Sequence, residues 1–200
     1  MDPAKTWKQQ LEDGRGRHPE PLRLRDAYTT EIERARRFVQ EHRIAPLPPD
    51  GQLGILDTPV FDRATQPLAT YLPPAPFDAT PVGSLCITPV DTGRRREEQM
   101  QQIEAHHLAA ISLVTVHETY PGHHLQLGHA MKVGSRLRRL AKSVVFTEGW
   151  AHYCEELMGE MGFYTADPLG RLWQLRDALW RACRVVVDVG LHTESMTYMQ

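Results

Sequence analysis

Apolar and polar positions follow two rhythms along the chain. Between residues 25 and 43, RDAYTTEIERARRFVQEHR sets Tyr28, Ile32, Ala35 and Val39 at three- and four-residue steps among charges, which predicts an amphipathic helix. The prolines and glycine of APLPPDG end it. From Leu53 to Val90 the text changes to short apolar runs cut by prolines, GILDTPVF, ATYLPPAPFDATPV and SLCITPV, which predict irregular extended strands. Because proline is excluded from central strands, an exposed edge is expected among them. After the polar DTGRRREEQMQQ the helical rhythm returns, with helices expected near 97–119, 123–133, 136–162 and 168–191.

The expected fold class is mainly α with a small strand or edge region near residues 53–90. Three stretches follow: a helical lead-in (1–50), irregular strands (51–95) and a helical part that carries the chemistry (96–200). The final TESMTYMQ reads as a helix start, with Thr197 as N-cap and three residues behind it, so residues 1–200 are expected to form one partial domain.

Composition narrows the function classes. With 41% hydrophobic and 24% charged residues the chain can bury one core, and a formal charge of -2 with interspersed signs offers no basic stripe for nucleic acid or anionic lipid. No run approaches the roughly 20 apolar residues of a membrane span, and MDPAKTWKQQLEDGRGRHPE lacks the apolar core of a signal peptide. A soluble chain of unmarked compartment and unassigned oligomeric state is expected. Cys86, Cys154 and Cys183 are far apart, fit neither a disulfide framework nor a thiolate zinc site, and are expected to be buried thiols.

The densest chemistry lies in LVTVHETYPGHHLQLGH. It resembles H-E-x-x-H, in which two histidines one helical turn apart hold Zn²⁺ and the glutamate activates water, but two residues are added and position 121 is proline. On an unbroken helix His123 would sit about 9 Å along the axis and roughly 240° around from His117, and His124 about 10.5 Å away on the same face. Pro121 and Gly122 alter this, because proline breaks the helical ladder and glycine accepts almost any conformation; a kink can bring either histidine back. The bland alternative is a Pro-Gly turn followed by histidines that face solvent or pack.

A second cluster, VVFTEGWAHYCEELMGE, offers Glu148 as third metal ligand beside two histidines, with one position left open for water. His152 and Glu155 are candidates to ligate or to support a ligand from behind, and the supporting role fits His152 better because a further ligand would close the site. The third cluster, RACRVVVDVGLH, places Arg181, Arg184, Asp188 and His192 on one helical stripe. His192 is a candidate donor to an oxyanion, with Asp188 orienting it and Arg184 binding a substrate carboxylate; the alternative is an Arg184–Asp188 ion pair that serves the fold. His106, His107 and His129 read as surface or packing residues, and His18 and His42 receive no role.

Together, HETYPGHHLQ, TEGWAHYCEE and RVVVDVGLH in that order resemble the bacterial family known as domain of unknown function 885, and ERARRFVQ, LDTPVF and YLPPAPFD extend the resemblance over nearly all of the chain. Members are far longer than 200 residues. The resemblance implies a zincin-like helical domain akin to the gluzincin metallopeptidases, with a strand edge beside the metal-bearing helix. It implies His117, His123 and Glu148 as zinc ligands, His123 being preferred over His124 by the Gly-His match, and Glu118 as base. Two departures stand out: position 152, usually apolar in the family, is His, and GSLCITPV replaces an aromatic-rich stretch. Some relatives read as exported lipoproteins.

The expected function is zinc-dependent hydrolysis of a peptide or small amide. Glu118 takes a proton from water, and His192 or Tyr198 stabilises the oxyanion. Residues 71–90 are expected to bind extended substrate at a sheet edge. The rival expectation is a non-catalytic, metal-stabilised helical module or a degenerate fragment, and a metal enzyme acting on something other than peptides is a third.

Overall fold

The computed structural model describes residues 2–47, 52–78, 81–141 and 143–198. It is mainly helical, with eight α-helices and one small sheet among these residues. The long helix α2, Leu24–Glu41, buries Tyr28, Ile32, Ala35 and Val39, the stripe expected from the three- and four-residue steps. Ahead of it, α1 (Trp7–Arg15) lies within the helical lead-in expected over 1–50. Its start is a capping box in which Thr6 and Gln9 satisfy each other's backbone amides.

The sheet joins β1 (Gln52–Asp57), β2 (Ala69–Leu72) and β3 (Val82–Ile87) in the order β1-β3-β2. β3 is parallel to β1 and antiparallel to β2. The expectation that residues 71–90 offer an edge is therefore corrected in part. Val82–Ile87 is central and paired on both sides, Pro81 and Pro89 lying just outside it, and β2 is the edge that faces the helices.

Helix α4, Leu108–Glu118, reads LAAISLVTVHE, apolar on nearly every face, and it is packed by α2, α7, α8 and β2. A helix apolar all round belongs in the interior, and α4 is the hub of the main core. The single helix expected over 97–119 is two helices, α3 (Arg96–Ala105) and α4, because His107 leaves helical geometry to cap α4 by accepting from the Ala110 amide. Likewise 136–162 divides into α6 (Arg136–Leu140) and α7 (Val144–Glu160), where Ser143 caps the second by accepting from the Phe146 amide.

Helix α5 spans His123–Ala130 and α8 spans Pro168–His192. The first half of α8 buries Gly170, Trp173 and Gln174, whereas Val185, Val186, Val187 and Val189 further along are exposed. Cys86 and Cys154 are buried as expected, but Cys183 is exposed, since it lies on that uncovered half of α8. Thr197 lies beside residues 199–200, which fall outside the described residues, as does any helix starting there. No helix among the described residues is long and apolar enough to cross a membrane.

Candidate metal centre

Helix α4 ends at Glu118, and α5 begins at His123 after the cis Tyr120–Pro121 peptide bond. Across this junction the hydrogen-bond ladder skips two residues. The Gly122 amide donates to the Val116 carbonyl at 3.1 Å and the Leu125 amide to the Thr119 carbonyl at 3.2 Å, each reaching six residues back instead of four. Two residues of HETYPGH are thus looped out, and His123 takes the place that the fourth residue after His117 would hold on a regular helix. Only glycine fits at the return, because a Cβ on Gly122 would lie 1.8 Å from the His117 carbonyl oxygen.

The result is a cluster of His117, His123 and Glu148, whose donor atoms all lie within 4.8 Å of one another. Glu148 Oε2 is 3.7 Å from His117 Nε2 and 3.6 Å from His123 Nε2. Tetrahedral ligation at about 2.0–2.1 Å per bond separates donors by roughly 3.3 Å, so the Glu148 contacts would close by a few tenths of an ångström and the widest pair by up to about 1.5 Å around an ion. Two imidazoles and a carboxylate form a donor set suited to Zn²⁺, and the largely exposed Glu148 leaves the cluster open to solvent on its side.

His117 is oriented from behind. Its Nδ1 lies 2.7 Å from Oε1 of Glu155, a fully buried carboxylate whose Oε2 accepts from Arg181 at 2.8 Å. This fixes the Nδ1 proton toward Glu155 and leaves Nε2 for the cluster. His152 stands 3.6 Å from Glu155 Oε2 and 3.5 Å from the Arg181 guanidinium, so both His152 and Glu155 sit behind the candidate ligands and not among them. His124 turns the other way, its Nδ1 bonded to the Tyr71 hydroxyl at 3.1 Å and its ring packed against Tyr120.

Electrostatics follow this layout. Burial opposes a charge on His117, but the adjacent Glu148 carboxylate, the hydrogen bond to Glu155 and the charges of Glu118 and Glu155 outweigh it and lift its pKa to about 9. His123 is pushed the other way, by burial and then by the His117 charge, with Glu148 offsetting part. The His117 imidazole beside it holds Glu148 below its usual range. Glu118 is raised, chiefly by burial, although His117 and a 2.8 Å hydrogen bond from the Tyr71 amide of β2 oppose the shift. A carboxylate raised toward neutrality, held by an edge strand beside two histidines, suits proton transfer.

The third cluster stays apart. His192 sits on the last turn of α8, exposed, with Nδ1 2.8 Å from the Asp188 carbonyl and 3.4 Å from its carboxylate. Both side chains are largely exposed, and neither joins His117, His123 and Glu148 among the described residues. Arg184 lies over the Trp180 ring at 5.2 Å, not paired with Asp188, and with Arg181, Val185 and Asp188 lines an open depression. Tyr198 is 92% exposed. Residues that the sequence reading passed over are Tyr71, whose amide holds Glu118, and Trp150, whose indole donates to the Pro121 carbonyl at 2.9 Å. The Trp of TEGW was a visible signal, and the strand amide had none.

The helical architecture and this cluster define a small-sheet helical domain with a His-His-Glu centre. The chain belongs to the family described as bacterial protein of unknown function (DUF885), which matches residues 8–200. Its fold is shared with a chain described as "a putative lipoprotein of unknown function" from Shewanella oneidensis, at TM-score 0.82 and 24% identity, over 95% of this chain and 33% of that one. A second chain described as a "putative lipoprotein", from Colwellia psychrerythraea, matches at TM-score 0.65 and 23% identity, over 97% of this chain and 41% of that one. The chain thus spans a third to two fifths of these relatives. No curated protein matches it.

Proposed function

We propose that the chain carries the metal centre of a zinc-dependent, zincin-like hydrolase that cleaves peptide or related amide bonds. The observation behind this reading is the convergence of His117, His123 and Glu148, with Glu155 bonded to the far side of His117. A divalent ion such as Zn²⁺ held by these three would supply a Lewis acid that polarises a carbonyl and acidifies water. Glu118 takes up the proton released by the attacking water and passes it to the leaving amine, a role served by its raised pKa. The Tyr71 amide keeps Glu118 aimed, and β2 lays an extended substrate alongside it.

A second reading, a metal that serves folding alone, is favoured by the exposure of His192 and Tyr198, since no oxyanion donor from α8 meets the cluster among the described residues. One experiment separates the two. Metal content by mass spectrometry is expected to be near stoichiometric for zinc in the wild type and lost in His117→Ala, and a screen of short peptides is expected to detect cleavage. Zinc without cleavage leaves the folding role, and a folded protein that takes up no zinc ends the metal reading.

A further inference from the structure

We infer that Trp150 is a positioning residue of this centre: its indole N–H holds the Pro121 carbonyl, and with it the two-residue excursion that sets His123 beside His117. The inference rests on the metal reading for its consequence, but its geometry stands in the metal-free protein.

A six-residue spacing cannot place two histidines side by side on a regular helix, where the second would be roughly 240° around from the first. The excursion repairs this, and it has to be held in one shape to do so. Inside it, the Gly122 and Leu125 amides close onto Val116 and Thr119. Pro121 is buried, so its carbonyl needs a donor from the surrounding structure. Trp150 supplies it at 2.9 Å from α7, two residues beyond Glu148. The indole donates and does not accept, so its one polar atom is committed to this carbonyl, while its ring is half-buried against the main core.

The consequence is geometric. α7 brings Glu148 and α5 brings His123, and the Trp150–Pro121 bond ties α7 to the segment that leads directly into α5. Gly122 closes the other escape, since the loop already rests on the His117 carbonyl and cannot sink further. A tryptophan kept only for packing would be replaced by phenylalanine at small cost to the centre; a tryptophan kept for its N–H would not.

The test compares wild type with Trp150→Phe. In metal-free protein, NMR is expected to show a ring-to-ring nuclear Overhauser contact between His117 and His123, whose centroids are 4.8 Å apart, and to lose it in the variant. Zinc affinity is expected to fall about 10- to 100-fold, the scale of supporting-residue effects, with a changed visible spectrum of the cobalt-substituted protein. If Trp150→Phe does not fold, benzothienylalanine at position 150, which keeps the ring shape without the N–H, answers the same question. Retention of both the ring contact and the affinity, or absence of the ring contact in wild type, overturns the inference. A wild type with the ring contact and no zinc binding sinks the metal reading and leaves Trp150 as the holder of the histidine pair.

Discussion

Two pairs of adjacent histidines flank α4, and their surroundings differ. His106 and His107 precede the helix, His123 and His124 follow it, and all four are buried. Around the first pair the partners are neutral or cationic. His106 Nδ1 meets the Tyr28 hydroxyl at 3.2 Å, while His107 accepts the Ala110 amide, lies against Trp173 at 4.1 Å between ring centroids, and feels Arg15 and Arg176. Burial above all pushes both pKa values down to about 4, so these imidazoles are neutral packing pieces. Behind α4, carboxylates crowd in: Glu118, Glu148 and Glu155 all act on His117, and Glu148 on His123. Burial and pairing therefore do not make a histidine a ligand candidate; carboxylates within reach and an uncommitted ring nitrogen do.

The largest effect that would sharpen this contrast is chemical. Glu118→Gln is expected to keep zinc and lose 10²- to 10⁴-fold in peptide hydrolysis, while His107→Ala leaves the turnover of folded protein unchanged; equal activity in Glu118→Gln would break the assignment. Next comes acid. His106 and His107 are depressed to about 4 from 6.5, so the unfolded chain binds the extra protons first, and the stability they support is full above pH 6.5 and lost as pH falls toward 4. Each contributes on the order of 3 kcal/mol to that loss, measurable as the slope of denaturant midpoint against pH, and replacing His106 by Gln should flatten it. A smaller effect is expected for Glu155→Gln, which frees the His117 ring to choose its tautomer: zinc affinity should drop about 10- to 100-fold by competition titration with a chelator. Smallest is the cap. His107→Ala should cost about 1 kcal/mol for the lost Ala110 bond, with the packing on Trp173 added, and leave zinc content intact.

Much of this contrast was legible in the sequence, and the reasons for the remainder are physical. The stripe of α2 and the apolar text of α4 are periodic signals, and both lie where the period puts them. His117, Glu118 and Glu148 stand out because ligand chemistry leaves a local spacing signature, and HETYPGH carries a proline and glycine to explain its irregular length, while His123 is selected only by the Gly-His match to the family. The choice between His123 and His124 lies in the way the looped-out residues return, which involves the Trp150 hydrogen bond from α7 and the absent Cβ of Gly122. Histidine at 107 as a helix cap defeats a periodicity argument, because the apolar rhythm runs on across the break. The order β1-β3-β2 and the burial of Glu155 under Arg181 are tertiary facts with no local trace. Cys183 departs from the expected burial for a related reason: apolar residues recur among the charges along the whole of α8, so composition does not separate its packed half from its uncovered half.

The position of His117 at the end of α4 has a thermodynamic consequence. The helix that presents this imidazole is also the one on which α2, α7 and α8 converge, so unfolding of the core and dispersal of the donors are one event. Any ion taken up by the cluster is then a ligand of the native state alone, and at a hundredfold excess over its dissociation constant it raises global stability by about 2.7 kcal/mol. A melting-temperature series across divalent ions becomes a ranking of their affinities, read from the whole fold instead of from the site.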